Sequence, residues 1–391
     1  MISRAFAAPG SSRRVFGRLR GMGALVLILS MLLFVPRVAA QDGTAAVPMF
    51  RGDPARTGAM PGPGPDPKGT IGVIWTFQAE DFIHASPAVV DGVVYIGSWD
   101  HRVYAVDTAT GEQRWAFETG DMIFSSPAVV DGVVYIGSGD GKLYAIDAAS
   151  GKQIWAFETG NAIDDSPAVA DGVVYIGSDD NNIYAVDTAS GQQKWAFPTG
   201  SVIHSSPAVA NGVVYVGSGD ANLYAIDAET GEQRWAFPTE KAIASTPAVV
   251  DGVVYVGSGD GSLYAIDAES GQRKWIFETG DGISSSPAVV DGVVYAGSDD
   301  HNFYAVDAAS GQQMWVFQTG YGISSSAAVA GGVIYVGGWD NFLYAIDTAS
   351  GQQLWLYEVG GAIGSSPAVI DGVVYVGSWD FNLYAIGNPA S

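Results

Sequence analysis

The chain has 391 residues, 48% of them hydrophobic and 52 of them glycine, which is enough for one large core or for two ordinary domains. It contains no cysteine, so a disulfide framework, a thiolate metal site and a lipid-modified cysteine are excluded. The 41 acidic against 18 basic residues give a net charge of −23, and such a surface repels phosphate backbones, which argues against nucleic acid as a partner.

Residues 1–40 have the pattern of an export signal. Arginines without any acid precede an apolar run at Ala24–Val35, and the small residues after it predict cleavage following Ala40. The run is short for a membrane span and ends at Pro36, so a retained anchor helix is the weaker alternative. Residues 12–18 resemble the twin-arginine export motif, while an arginine-rich signal for the general secretory route fits equally well. We expect an exported protein, periplasmic, on the cell surface or extracellular, without stable membrane insertion after signal cleavage.

Removal of that segment leaves 12 basic against 41 acidic residues, a net charge of −29 for the mature chain. Such a charge favours solubility and cationic partners without identifying them. Residues 41–69 come next and are rich in proline and glycine, with residues 61–67 too often interrupted by proline for a helix or a strand. We therefore predict an extended Pro/Gly-rich spacer at 41–69.

A tryptophan that recurs every 40 residues dominates the rest of the chain. Eight copies at constant spacing indicate a repeat architecture with one structural unit per 40 residues. The eight residues are Trp75, Trp115, Trp155, Trp195, Trp235, Trp275, Trp315 and Trp355.

One unit, residues 124–163, contains four short runs rich in β-branched and aromatic residues, separated by Asp-Gly, Gly-Asp and Ser-Gly turns. This pattern predicts a four-stranded antiparallel meander. The second run is apolar in both alternating registers, so both faces of the sheet need covering, which a radial stack of sheets provides. Small residues such as Ala128 suit the innermost strand, and Trp155 suits the outermost strand, where neighbouring blades splay apart.

The two ends of the repeat region complete one another. Residues 84–363 give seven full units, residues 364–386 supply three strands, and residues 74–77 form a lone fourth strand. The sequence therefore predicts an all-β, eight-bladed propeller at 70–388, closed by the N-terminal strand joining the last three and leaving no free edge at the seam. We expect a monomer.

The repeat also resembles a known family. Tyr144-Ala145-Ile146-Asp147, followed by Ser150-Gly151 and Trp155, is similar to the repeat of pyrroloquinoline-quinone-type propellers, and it occurs in seven units. The segment 49–58 resembles one that often precedes such propellers. The family includes quinone-dependent dehydrogenases and non-catalytic members such as the propeller lipoprotein of the outer-membrane barrel-assembly machinery.

The resemblance implies different requirements for the two branches. The family dehydrogenases hold a quinone and a calcium ion on long interblade insertions, commonly beside a disulfide of adjacent cysteines, whereas here every unit has 40 residues and cysteine is absent. Basic donors for the quinone carboxylates are scattered, at Lys142, Arg102 and Lys241. We therefore predict the non-catalytic branch, with no enzyme activity and no cofactor, although the lipid-anchored cysteine of the barrel-assembly protein has no counterpart. A quinone-dependent dehydrogenase and a purely structural surface protein remain as alternatives.

Variation among the repeats indicates where function lies. The loop between the second and third strands and the link between blades vary most, and propeller topology puts both on one face. The histidines all fall in these loops: His84 and His101 share a blade, but His204 and His301 lie several blades away, so we predict neither a metal site nor a catalytic set. The opposite face has uniform turns such as Asp147–Gly151, which we interpret as turns and not as calcium loops.

Aromatic residues occupy equivalent variable loops on three consecutive blades, where the other repeats have glycine or aspartate. We predict that they form a binding surface, with bracing of the loops near the closing blade as the open alternative. The overall prediction is an exported scaffold that binds a protein or a polymer through this face. The site residues are Trp99, Trp339, Phe342, Trp379 and Phe381.

Overall fold

A computed structural model describes residues 46–389. The export signal predicted at 1–40 and the first residues of the spacer lie outside the described residues. The regular structure of the described chain consists of 32 β-strands, numbered β1 to β32. Within residues 46–389, no helix has the length and apolar character needed to cross a lipid bilayer.

The first strand, β1, belongs to the last blade, and the strands of blades 1 to 4 follow it. Strand β1 is Gly72–Gln78. Blade 1 has β2 Ala88–Val90, β3 Val93–Gly97, β4 Arg102–Asp107 and β5 Gln113–Glu118. Blade 2 has β6 Ala128–Val130, β7 Val133–Gly137, β8 Lys142–Asp147 and β9 Gln153–Glu158. Blade 3 has β10 Ala168–Ala170, β11 Val173–Gly177, β12 Asn182–Asp187 and β13 Gln193–Pro198. Blade 4 has β14 Ala208–Ala210, β15 Val213–Gly217, β16 Asn222–Asp227 and β17 Gln233–Pro238.

The strands of blades 5 to 8 complete the ring. Blade 5 has β18 Ala248–Val250, β19 Val253–Gly257, β20 Ser262–Asp267 and β21 Arg273–Glu278. Blade 6 has β22 Ala288–Val290, β23 Val293–Gly297, β24 Asn302–Asp307 and β25 Gln313–Gln318. Blade 7 has β26 Ala328–Ala330, β27 Val333–Gly337, β28 Phe342–Asp347 and β29 Gln353–Glu358. Blade 8 has β30 Ala368–Ile370, β31 Val373–Gly377 and β32 Asn382–Gly387, and receives β1 as its fourth strand.

Each blade is a four-stranded antiparallel sheet, and the ring closes as the sequence predicts. Strand β1 pairs antiparallel with β32, from Gly72 opposite Gly387 to Gln78 opposite Asn382. The innermost strands of neighbouring blades contact one another around the whole circle, including β2 with β30. The fold is therefore an eight-bladed β-propeller, and its N-terminal strand joins the two ends of the repeat region.

The constant 40-residue spacing of tryptophan has a structural reason, which Trp155 illustrates. Its indole N–H donates to the carbonyl of Thr188 in the next blade at 2.9 Å. The ring lies on Gly191, where a Cβ would stand 2.7 Å from a ring carbon and where φ is +67°, so glycine fits on both counts. Trp155 thus fills the gap between two blades, as predicted, and six further repeats make the same bond.

A closed circle of hydroxyl hydrogen bonds surrounds the axis. Each blade has a buried serine or threonine two residues before its innermost strand, and the backbone N–H of this residue donates to the hydroxyl of its equivalent in the next blade at 2.8 to 3.2 Å. The circle closes when Ser366 donates to Ser86. The eight residues are Ser86, Ser126, Ser166, Ser206, Thr246, Ser286, Ser326 and Ser366.

Residues 46–64, here named the axial segment, lie within the predicted extended spacer and pack against the innermost strands. Six of those strands donate the N–H of their central valine to a carbonyl of residues 47–58, at 2.6 to 2.9 Å. Val89 and Val329 also form isolated bridges with the segment. Proline and glycine leave the segment without a sheet of its own, but its carbonyls satisfy strand edges that would otherwise lack partners.

Two buried arginines fix the axial segment to the ring. Arg56 is fully buried and donates to the carbonyls of Pro207 at 3.0 Å and of Pro167 at 2.8 Å, in blades 4 and 3. Arg51 donates to two carbonyls that precede the innermost strand of blade 6. Burial lowers the pKa of Arg56 to about 10 against the opposing effect of nearby carboxylates, so the side chain is still charged at neutral pH.

Substitution of an interblade tryptophan tests the role of these rings in stability. Trp235→Ala should lower the free energy of unfolding by about 3–5 kcal/mol, because it empties the space between blades 4 and 5. It also leaves the carbonyl of Ala268 without its donor. Denaturant unfolding measures the loss, and a cost below about 1 kcal/mol would contradict the interblade role. As a control, Trp355→Phe should cost about 1 kcal/mol less than Trp235→Phe, because the Trp355 indole N–H has no hydrogen-bond partner in the described chain.

Removal of the buried guanidinium tests the axial segment. Arg56→Ala should lower the free energy of unfolding by about 3 kcal/mol, because it leaves buried carbonyls without donors. Arg114→Ala is the matched control, since Arg114 is half-exposed in its pair with Asp107 and should cost less than about 1 kcal/mol. Equal costs in denaturant unfolding would show that the axial segment does not contribute to the stability of the ring.

Candidate functional site

The variable face is formed by the links between blades and by the loops between second and third strands, and an aspartate anchors each loop. In blade 2, Oδ2 of Asp140 accepts hydrogen bonds from the Gly120 amide at 2.8 Å and from the Tyr144 hydroxyl at 2.5 Å. The loop is thereby tied both to the preceding link and to its own blade. The residue just before this aspartate is therefore presented at a similar place in every blade, and its identity varies.

In blades 7, 8 and 1 that variable residue is a tryptophan, and the three rings meet. The ring centroids of Trp339 and Trp379 lie 5.0 Å apart, and those of Trp379 and Trp99 lie 6.0 Å apart. Phe82, on the link into blade 1, contacts both Trp99 and Trp379, with centroids 5.2 Å away in each case. The fold thus brings these residues into one aromatic cluster across the blade that closes the ring.

The members of the cluster differ in exposure. Trp99 and Trp379 are half-buried, and their indole N–H groups are enclosed without a hydrogen-bond partner in the described chain. Trp339 is 44% exposed and donates its N–H to the hydroxyl of Ser324 at 2.5 Å. Trp339 therefore offers the cluster's main solvent-accessible surface.

The two predicted phenylalanines have different environments. Phe381 packs against Phe82 with centroids 5.2 Å apart and so belongs to the aromatic cluster. Phe342 contacts Tyr344 with centroids 6.2 Å apart and packs against the core between blades 6 and 7. Four of the five predicted residues thus come together in one cluster, while Phe342 lies apart; their role in binding stays a prediction.

Four aromatic residues on the links between blades, Phe82 and three others, were not among the predicted site residues, all of which lie in the loops between second and third strands. Phe124 lies 4.7 Å from Trp99, centroid to centroid, and His84 stacks on Trp99 at 6.3 Å. Tyr321 is 62% exposed and stacks on His301 at 5.9 Å. They could have been predicted from the order of elements, because each link between blades precedes the loop against which it packs. Burial lowers the pKa of His84, so this imidazole is neutral at neutral pH.

The sequence predicts no metal site because no blade has more than two histidines, yet the fold brings one histidine to two aspartates. Asp164, Asp179 and His204 each have a potential ligand atom within 4.8 Å of the others. His204 Nε2 lies 3.1 Å from Asp179 Oδ1, which is an ion-pair distance. Burial and the Asp179 charge raise the pKa of Asp164. His204 thus contacts an aspartate directly, and the expected absence of a metal site stays a prediction.

On the opposite face, the aspartate turns bond internally. Oδ1 of Asp147 accepts hydrogen bonds from the amide of Ser150 at 2.8 Å and from its hydroxyl at 2.5 Å. The same pattern recurs at Asp187. These carboxylates close turns, in agreement with the interpretation from sequence.

The fold is shared with several solved structures, all of low sequence identity. BamB from Moraxella catarrhalis has a TM-score of 0.72 at 21% identity, covering 81% of this chain and all of that chain. A europium-containing methanol dehydrogenase has a TM-score of 0.77 at 14% identity, covering 88% of this chain and 98% of that one. A quinohemoprotein alcohol dehydrogenase from Comamonas testosteroni has a TM-score of 0.76 at 18% identity, covering 89% and 81%. At such identities the likeness concerns the fold alone.

Comparison of sequences is more specific. No curated protein sequence matches the chain significantly. The family model described as outer membrane protein assembly factor BamB matches residues 69–126, 102–204, 198–318 and 300–387, which together span the propeller. The chain therefore belongs to the BamB family of propellers.

Proposed function

We propose that the chain is an exported, non-catalytic propeller that binds a protein or a polymer in the cell envelope or outside the cell. The variable face is the binding surface, with the aromatic cluster of Trp99, Trp339 and Trp379 at its centre. Membership of the BamB family supports a scaffold in the envelope, because that family is described as an outer membrane assembly factor.

The observation that carries this proposal is the exposure of aromatic surface on rigid loops. Trp339 is 44% exposed although the rest of the aromatic cluster is half-buried, and its indole N–H is held by Ser324. A fixed, exposed tryptophan beside other aromatic rings gives a partner a large contact area at small entropic cost. Single exposed apolar residues are common on protein surfaces, but a connected aromatic group indicates a contact surface.

A quinone-dependent dehydrogenase is the second candidate, since two of the structures with this fold are dehydrogenases. The residues present fit that cofactor poorly. The quinone carboxylates need cationic donors, yet Arg102 is paired with Glu80 at 2.9 Å, and Arg51 and Arg56 donate to backbone carbonyls. The chain also has no cysteine for the disulfide of adjacent cysteines that is common in those enzymes.

Partner capture tests the binding surface. Mature protein, residues 41–391, is used to pull down partners from the envelope fraction of the source organism, beside a Trp99/Trp339/Trp379 triple-alanine variant. We expect the wild type to retain a partner that the triple variant loses, because the variant removes the aromatic contact surface. Capture unchanged by the triple substitution would overturn the proposal, and no capture by either protein would favour a structural role.

Two further variants separate binding from folding. Trp339→Ala alone removes an exposed ring and should weaken capture without lowering the unfolding midpoint. The matched control replaces Ile154, Met314 and Leu354 with alanine, because these residues are similarly exposed but lie on outermost strands, away from the variable face. The control protein should retain the partner fully.

Reconstitution tests the dehydrogenase alternative. Folded protein is incubated with pyrroloquinoline quinone and calcium, and the quinone absorbance is followed after addition of alcohols and aldose sugars. We expect no substrate-dependent change, because Lys142, Arg102 and Lys241 lie on separate blades and Arg102 is already paired with Glu80, so they do not form the cluster of donors that the quinone carboxylates need. A calcium-dependent absorbance change would instead establish the enzyme.

A further inference from the structure

A shallow cleft on the variable face, between blades 6 and 7, combines aromatic rings with a carboxylate. It has a volume of about 290 Å³ and lies at the edge of the aromatic cluster. The lining residues are Ser284, Asp299, Tyr321, Gly322, Ser324 and Trp339.

The two rings of the cleft are exposed but held in place. Tyr321 is 62% exposed and stacks on His301, while Trp339 is 44% exposed and contacts Trp379. The hydroxyl of Ser324 accepts the Trp339 N–H and so restricts rotation of the indole. Rings fixed in this way offer their faces to a ligand with little loss of side-chain freedom.

The carboxylate of the cleft has no cationic partner in the described chain. Asp299 is exposed, and its Oδ2 accepts a hydrogen bond from the Ser284 hydroxyl at 3.3 Å. None of the ion pairs found among residues 46–389 involves it. Partial desolvation raises the pKa of Asp299, and the charges of Asp281 and Asp300 act in the same direction, whereas the Ser284 hydrogen bond and His301 oppose them. An added cation would relieve this concentration of negative charge.

We propose that the cleft binds the guanidinium group of an arginine carried by a partner protein. A guanidinium is planar, stacks on aromatic faces and donates two parallel hydrogen bonds to a carboxylate, which matches Trp339, Tyr321 and Asp299. The net charge of −29 for residues 41–391 attracts a basic partner over longer range. The inference rests on the proposed function, since it specifies the partner chemistry of the same face.

The test uses a blocked peptide, acetyl-Gly-Arg-Gly-amide, titrated into the mature protein and followed by ligand-observed NMR. The matched ligand contains citrulline, which has nearly the shape of arginine but no charge, and a third peptide contains lysine. We expect the arginine peptide to bind at least about tenfold more tightly than the citrulline peptide, and more tightly than the lysine peptide. Equal binding of arginine and citrulline, or no binding at millimolar concentration, would overturn the proposal.

Substitutions in the protein locate the interaction. Asp299→Asn and Trp339→Ala should each weaken the arginine peptide by about tenfold, with an unchanged unfolding midpoint. The control is Asp179→Asn, which removes a charge from the equivalent loop position of blade 3, where the next blade has Gly219 instead of tryptophan. Asp179→Asn should leave binding within about twofold of the wild-type value. Equal losses in both aspartate variants would mean that the acidic surface attracts arginine without a site.

The two proposals fail separately. If the envelope partner is lost from the triple-tryptophan variant but retained by Asp299→Asn at every salt concentration, the binding function stands and the arginine site is refuted. This outcome includes a polysaccharide partner, which would stack on the rings without needing the carboxylate. If the arginine peptide binds as expected but no envelope partner is captured, the arginine site stands and the proposed function fails.

Discussion

The whole ring depends on how the edges of eight innermost strands are satisfied at the axis. Each of these strands has a neighbour on one side only, so eight free edges converge at the centre of the molecule. The axial segment supplies carbonyls to six of them, and the circle of serine and threonine hydroxyls joins the residues that precede them. In blade 3, no hydrogen bond among the described residues joins the central valine of the innermost strand to the axial segment. There Arg56 of the segment donates to the carbonyls of the two residues that precede this strand. A segment rich in proline and glycine suits this position because it must provide acceptors without competing for strand pairing.

The junction between blades 7 and 8 differs from the other blade junctions. At the other junctions, the indole N–H of the interblade tryptophan donates to the turn that follows the third strand of the next blade. Trp355 instead meets the end of β32, where Gly387 replaces the turn aspartate. Its indole N–H has no hydrogen-bond partner among the described residues. Closure therefore relies on the pairing of β1 with β32 and on packing in blades 7, 8 and 1. The aromatic cluster lies over these same blades. The half-buried Trp99 and Trp379 suit a role in bracing the loops, whereas the exposed surface of Trp339 is available to a partner.

The sequence was sufficient for the blades, because the 40-residue tryptophan period, the alternation of apolar residues and the complementary end fragments depend on local patterns. The sequence was insufficient to predict the contacts at the axis of the ring. Proline and glycine in residues 46–64 reveal an extended backbone but not where its carbonyls point, and the burial of Arg51 and Arg56 requires knowledge of the assembled ring. The candidate site was predicted only in part, because contacts between blades also require knowledge of the assembled ring. Loop residues at equivalent positions could be grouped by counting, whereas contacts from the links, such as Phe82 with Trp99, depend on how far each link bends over its neighbour.

Because the backbone is nearly the same in every blade, one side chain per loop decides the chemistry of each sector of the variable face. Asp140 and its equivalents in blades 1 to 7 accept a hydrogen bond from the preceding link, and the residue before this aspartate is glycine in blade 2, aspartate in blades 3 and 6, and tryptophan in blades 7, 8 and 1. The aspartate of blade 6 faces a tryptophan from the neighbouring blade, whereas the aspartate of blade 3 contacts His204. Two residues of the same type at the same repeat position thus have different surroundings, one paired within the protein and one open to an external cation. A repeat protein can in this way acquire a binding site by substitution at the loop tips, without changing the hydrogen bonds that keep the ring closed.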